Sequence, residues 1–228
     1  MVNTIIQQSM LRKAKTEGVI DFDVVDLRDF GQGNYRQIDD TPYGGGGGMV
    51  LMAEPLFAAL DHTVANIGVA TNLRIIYPSP QGLQWSQDAA QENSSLENLI
   101  FICGHYKDID HRVIDKYVTH EYSIGDYVVT SGEIPTMIMI DSIVRLLPGV
   151  LNNFDSAKTD SFFSESLLDA PYYTKPKKID CLSVPEVLMS GNHKKIAAWR
   201  QDERVRRTEV KRPDLAHTRA KKLESSEN

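Results

Sequence analysis

The chain has 228 residues, with 25 Lys+Arg against 31 Asp+Glu, a formal net charge of −6, two cysteines and 41% hydrophobic residues. At roughly 150 residues per domain this length allows one large domain or two unequal ones, with core enough to fold without disulfide or metal staples. The composition excludes collagen-like and wholly disordered chains, and two cysteines 78 positions apart, Cys103 and Cys181, exclude a disulfide framework and suit a reducing cytoplasm. The N-terminus carries Lys13, Lys15 and Glu17 without a long apolar block, so no signal peptide is read there. The most apolar stretch, 134–151, contains Asp141, Arg145 and Pro148 and reads as a buried helix rather than a membrane span.

In chain order, residues 19–27 alternate as a strand does. A polar stretch, 28–41, leads to the glycine run Gly44–Gly48, and 49–64 has helical spacing of Leu51, Leu56 and Leu60. Residues 73–77 form a short apolar strand ended by the turn Pro78-Ser79-Pro80-Gln81-Gly82. A helix over 86–93, a strand over 99–103, a helix over 110–118, a strand over 127–130 and a helix over 134–147 follow. Strands alternating with helices predict a parallel α/β sheet over residues 1–151, with ligands held in the loops beyond the carboxyl ends of its strands. Those loops are 78–82, 104–108 and 130–135. Residues 152–159 read as a linker and 160–228 as a smaller, basic, helical domain ending in a frayed tail.

The net charge conceals an asymmetry. Between Thr174 and Lys222 fourteen basic residues face six acidic ones, a net +8, while the remainder of the chain carries −14. A segment of that kind on an acidic body points to a polyanionic partner, and the clusters Arg204, Arg206, Arg207 and Lys211, Arg212 suit phosphate contact.

Single motifs have plain readings. The glycine run could let backbone N–H groups approach an anion, but no Gly-Lys-Ser/Thr ending follows, which argues against a P-loop. Cys103, His105 and His111 lack a fourth ligand at zinc spacing. Asp160, beside Ser161, would ordinarily cap a helix N-terminus, and Arg145 in its apolar helix has Asp141 four residues away as a partner. Trp85 and Trp199 read as packing residues.

Taken in order, the motifs resemble one family. Asp39-Asp40-Thr41-Pro42-Tyr43-Gly44-Gly45-Gly46 is followed by Pro80-Gln81-Gly82, Phe101-Ile102-Cys103-Gly104-His105-Tyr106 and Ser123-Ile124-Gly125-Asp126-Tyr127-Val128. Gly132-Glu133, Ile140-Asp141-Ser142 and Leu147-Pro148-Gly149-Val150-Leu151 come next, then Asp160-Ser161-Phe162, Leu167-Leu168-Asp169, Tyr173-Thr174-Lys175-Pro176, Ser190-Gly191-Asn192-His193 and Arg212-Pro213. The sequence is similar over 9–215 to the bacterial tRNA (guanine-N1) methyltransferases, S-adenosylmethionine enzymes of the SPOUT class.

This resemblance implies a parallel sheet closed by a deep trefoil knot, a linker, a helical tRNA-binding domain and a homodimer whose sites combine both subunits. It implies methylation of guanosine 37, just 3′ of the anticodon. The methyl donor would lie against Pro80, Gly104, Ile124, Gly125, Asp126, Tyr127, Val128 and Val129. Asp160 would match the general base and Arg145 the arginine that orients guanine. Three departures stand out. A strand with a Phe-Pro turn precedes the segment matching 3–13 in the family, so the first strand is expected to be missing here. Lys107 replaces an acidic residue near the donor, with Asp108 beside it to compensate, which weakens the family's magnesium dependence. Ser131 replaces a glycine. The competing reading is a knotted tRNA-binding protein that has lost catalysis through Lys107 and the missing strand.

Overall fold

Three consecutive residues decide how the first part of the chain is layered. Ile75 and Tyr77 project to one face of a strand and Ile76 to the other, and all three are buried. The computed structural model describes residues 1–68, 72–152, 154–163 and 165–215. Arg219, Lys221 and Lys222 of the basic segment, and the tail expected to fray, lie outside them. The chain divides into two compact units, Met1–Asn152 and Asn153–Asn228.

In the first unit, α1 (Val2–Ile5) and α2 (Ser9–Thr16) precede β1 (Asp39–Asp40), β2 (Val50–Leu51) and α3 (Ala53–Ile67). Then come β3 (Leu73–Gln84), α4 (Gln87–Ser94), β4 (Asn98–Phe101), β5 (Asp108–Ile109), α5 (His111–Tyr117), β6 (His120–Ser123) and α6 (Glu133–Val144). The central sheet has the order β4-β3-β6 and is parallel throughout. Ile75 and Tyr77 pack against Leu56 and Leu60 of α3 and Val113 of α5. On the opposite face Ile76 and Tyr122 meet Ala89 of α4 and Met139 of α6, with Trp85 edge-on to Tyr122 at 4.9 Å between ring centroids. Each such aliphatic side chain contributes roughly 1.5–3 kcal/mol by leaving water. Helix α6 is apolar on nearly every side because it is covered twice: Met139 faces the sheet, while Val144 packs with Leu11 and Ala14 of α2.

Sequence periodicity misplaces several elements. The expected single sheet is two: β2 pairs parallel with β5 and antiparallel with β1 in a separate small sheet. Residues 19–26 form no strand, because Val19, Val24 and Val25 are exposed and the alternation has no neighbouring strand to satisfy it. A 3₁₀ turn, Leu27–Phe30, follows, with Asp26 capping it by accepting from the N–H of Arg28. The glycine run leads into β2, and the helix starts only at Ala53. The strand expected at 127–130 is a loop, and the real strand is the more polar β6 seven residues earlier.

The second unit holds α7 (Phe154–Thr159), the hairpin β7 (Lys178–Ile179) with β8 (Leu182–Ser183), α8 (Glu186–Met189) and α9 (His193–Lys211). The expected linker 152–159 is therefore largely helical. Asn192 caps α9 by accepting from the N–H of Lys195 at 3.1 Å. Near the other end, buried Thr208 accepts from the N–H of Leu168 at 2.9 Å and donates to the Arg204 carbonyl at 2.7 Å, which pins the helix to the segment before it.

Candidate functional site

Three loops meet at the carboxyl ends of the central strands. In the first, β3 leaves its ladder at Pro78 and rejoins at Leu83, and both residues pair with Tyr122 of β6. The four residues between bulge outward, and Ser79 holds the bulge by accepting from the N–H of Gln81 at 3.2 Å. Gly82 is required there, since a Cβ would run into the backbone of Glu121 and Tyr122. The second loop extends β4 through Ile102, whose N–H donates to the Ile76 carbonyl at 3.0 Å, and ends at Gly104. The third follows β6, where Ser123 closes a tight turn by exchanging hydrogen bonds with the N–H and C=O of Gly125, both 3.1 Å. The second and third loops are tied together: the N–H of Gly132 donates to the Gly104 carbonyl at 2.7 Å. A Cβ on Gly132 would lie 2.5 Å from the Gly104 nitrogen, so only glycine allows this approach.

Between them lies a cleft of about 110 Å³. Of the eight residues the resemblance assigns to the methyl donor, Pro80, Gly104, Ile124, Gly125, Tyr127, Val128 and Val129 line it together. Asp126 belongs to the same loop but not to the cleft wall. Among the described residues, the N–H groups of Val128, Val129 and Thr130 have no hydrogen-bond acceptor within the chain. The wall thus combines apolar side chains with open backbone donors, a combination suited to a ligand carrying a flat heteroaromatic ring and polar edges.

Tyr77, which sequence reasoning did not single out, shapes the cleft together with residues it had named in other connections. Tyr77 donates its hydroxyl to Asp108 at 2.7 Å, and burial first, then this bond, pushes the phenol above its usual range. Asp108 Oδ1 also accepts from the N–H of Ile109, so this carboxylate is engaged in the wall rather than standing in for the acid that Lys107 replaces. Lys107 itself is exposed, its N–H bonded to the Met49 carbonyl at 3.1 Å. At the first residue of α6, Glu133 contacts His105 Nε2 at 2.6 Å. Desolvation raises the Glu133 pKa, but hydrogen bonds from Ser131 and His105 outweigh it and the carboxyl ends below its ordinary range. Burial raises the thiol of Cys103, which contacts Thr136 at 3.4 Å, and this makes it a packing group rather than a nucleophile. For Tyr77 the only advance signal was its position at the end of an apolar strand.

Neither residue expected to act on guanine is among those that line the cleft. Arg145 is half-buried at the carboxyl end of α6, its N–H donating to the Asp141 carbonyl at 3.2 Å. Asp160 belongs to the second unit. It directly follows α7, its N–H donating to the Ala157 carbonyl at 3.1 Å, so it ends a helix rather than capping the start of one. Among the described residues no three His, Cys, Asp or Glu side chains converge as metal ligands would, and no helix is long and apolar enough to cross a membrane.

Comparison with known proteins points to one family. A family model described as tRNA (Guanine-1)-methyltransferase TrmD matches residues 1–218. A tRNA (guanine-N(1)-)-methyltransferase of Lacticaseibacillus paracasei is 50% identical over 213 residues, covering 93% of this chain and 82% of the relative. The protein of the same name from Staphylococcus carnosus is 46% identical over 215 residues, covering 94% and 86%. That of Clostridioides difficile is 44% identical over 213 residues, covering 93% and 91%. The reading of a chain that has lost catalysis finds no support in these relatives. With a family model matched over nearly its whole length and relatives at this identity, the chain belongs to the tRNA (guanine-N1)-methyltransferase family.

Proposed function

We propose that this protein transfers a methyl group from S-adenosylmethionine to N1 of guanosine 37 in tRNA. The observation that carries the reading is the cleft at the carboxyl ends of β3, β4 and β6, lined by seven of the eight donor positions and edged by backbone N–H groups with no acceptor among the described residues. A relative 50% identical is named tRNA (guanine-N(1)-)-methyltransferase. In this reading the loops belong to a trefoil knot, the protein works as a cytoplasmic homodimer, and the second unit holds the RNA.

The residues of the cleft fit the donor. Ile124, Val128, Val129 and Pro80 would offer apolar surface to a purine ring, and the open N–H groups of Val128 and Val129 would be donors for its polar edge. Gly104 leaves room beside Tyr77, where a Cβ would approach the phenol oxygen to 2.9 Å. When bound, the donor supplies an electrophilic methyl group on a sulfonium.

Guanine N1 carries a proton at neutral pH and is a weak nucleophile until that proton leaves. The Asp160 carboxylate would take the N1 proton as the N1–CH3 bond forms and the methyl group's bond to sulfur breaks, its electron pair staying on a neutral thioether, an effect worth roughly 10² to 10⁴ in rate. Negative charge left on O6 is stabilised by the Arg145 guanidinium, whose planar fork also fixes the base. Burial of the reacting atoms between the loops holds N1 in line with the methyl group.

The test is twofold: calorimetry with S-adenosylmethionine, and transfer of labelled methyl groups to unmodified tRNA. Binding accompanied by transfer supports the reading. Absence of both from folded protein would refute it.

A further inference from the structure

A second cavity, of about 330 Å³, opens on the second unit between the segment 171–177, α8 and α9. Its volume is at the lower end of the range that holds small ligands, roughly 300–1,000 Å³. Tyr172 and Tyr173 line it and are 67% and 47% exposed. The Tyr172 hydroxyl donates to Asp169 at 2.6 Å, so that ring is held in place rather than free to fold onto the surface. Leu188 of α8 and Ile196 of α9 form an apolar floor, and Lys175, Lys177 and Arg200 supply positive charge around it.

The state of those cations is informative. Farther along α9, Arg206 is neutralised by Glu203 at 2.6 Å, and just beyond the helix Arg212 pairs with Asp214 at 2.7 Å. Among the described residues, Lys175, Lys177 and Arg200 have no ion pair of the kind that Arg206 and Arg212 make. Two exposed rings, an apolar floor and unneutralised cations are the parts of a single-stranded nucleic-acid site, where aromatic faces stack bases and cations track phosphates. A base inside a duplex offers no free face to such rings, so the occupant is an unstacked nucleotide.

We propose that the Tyr172–Tyr173 cavity is a nucleotide subsite for the RNA substrate. One unpaired base lies against Tyr173 above the Leu188–Ile196 floor, and its flanking phosphates meet Lys175, Lys177 and Arg200. The proposal deepens the tRNA reading given above and rests on it.

The test measures affinity for unmodified tRNA across a salt series for the wild type, Tyr173→Ala, Tyr173→Phe and the double variant Lys175→Ala/Lys177→Ala. Calorimetry with S-adenosylmethionine on each variant reports whether the rest of the molecule is intact. The expected result is about a tenfold loss for Tyr173→Ala with the salt slope unchanged, and near wild-type affinity for Tyr173→Phe, because stacking needs the ring and not the hydroxyl. The lysine variant should flatten the slope of log K against log salt by about 1.4, at roughly 0.7 per single-strand phosphate contact. Wild-type affinity in Tyr173→Ala would overturn the subsite, as would equal losses in Tyr173→Ala and Tyr173→Phe. An effect of the lysines without one of the tyrosine would also overturn it, leaving only phosphate contact. A wild type that binds tRNA with this tyrosine dependence yet transfers no methyl group would contradict the activity while supporting the subsite.

Discussion

Tyr77 and Asp108 are joined by a 2.7 Å hydrogen bond that links the central sheet to the small one. Tyr77 lies in β3 beside the first loop of the cleft, and Asp108 begins β5 beside Lys107. The bond therefore holds two cleft walls that come from different sheets, and it keeps Asp108 occupied with the fold.

Removing the hydroxyl isolates that link. Tyr77→Phe should lower stability by about 1.5–3 kcal/mol, the usual net worth of one hydrogen bond to a charged group. It should also weaken S-adenosylmethionine binding severalfold, because the Asp108 wall loses its tether. Urea unfolding and calorimetry on the same preparations read both effects. Unchanged stability would contradict the tether.

The close approach of Gly132 to Gly104 gives a steric prediction. Gly132→Ala places a methyl group 2.5 Å from the Gly104 nitrogen, so one of two cleft loops must move. The expected cost is about 1–3 kcal/mol from overpacking, with a larger proportional loss of donor affinity than of stability. Gly47→Ala serves as the control, since a Cβ there meets nothing within 4 Å. Equal behaviour of the two variants would contradict the packing described.

Glu133 predicts a pH dependence. Its folded pKa lies below the ordinary 4.5, with desolvation opposing the shift and hydrogen bonds from Ser131 and His105 prevailing. A depressed carboxyl pKa contributes stability that is present above the ordinary value and lost as pH falls through the folded one. Glu133→Gln should therefore be less stable than wild type at pH 7, with the gap narrowing below about pH 4.5. Denaturant unfolding at pH 7, 5 and 3.5 measures this, and a gap that stays constant with pH would contradict it.

Arg145 gives a kinetic prediction within the proposed reaction. Arg145→Ala should lower kcat by about 10² to 10³, the range typical of losing one charge-stabilising donor, while S-adenosylmethionine affinity stays near wild type. Single-turnover methyl transfer separates this from weaker tRNA binding. Lost affinity with an unchanged kcat would assign Arg145 to binding alone.

The loops of the site could be read from residue types, its individual residues only from the family resemblance, and much of the sheet from neither. Pro78 to Gly82 announced an interruption of the strand, yet nothing local showed that β3 would resume at Leu83 against the same Tyr122. That pairing depends on β6, distant in sequence. Tyr127, Val128 and Val129 carry the β-branched and aromatic character of a strand, but here that character faces a cleft, and Val128 is 84% exposed. The true strand, His120-Glu121-Tyr122-Ser123, is hidden by its polarity: only Tyr122 and Ser123 are buried, and the ladder to β3 supplies what propensity does not. Val24 and Val25 show the reverse case, alternation without a partner strand. The cleft residues were legible only through the resemblance to a family, whereas strand order and turn residues marked the loops 78–82, 104–108 and 130–135. The Tyr77–Asp108 and His105–Glu133 contacts were not, because each joins residues whose proximity only the tertiary fold creates.

The most direct test of the account is to incubate the protein with unmodified tRNA and labelled S-adenosylmethionine, map the product nucleotide, and repeat with Asp160→Ala. The account predicts 1-methylguanosine at position 37, none on a tRNA whose guanosine 37 is replaced by adenosine, and a rate reduced by about 10² to 10⁴ in the variant with donor binding retained. A methyl group on another atom or position, or an undiminished rate for Asp160→Ala, would contradict it.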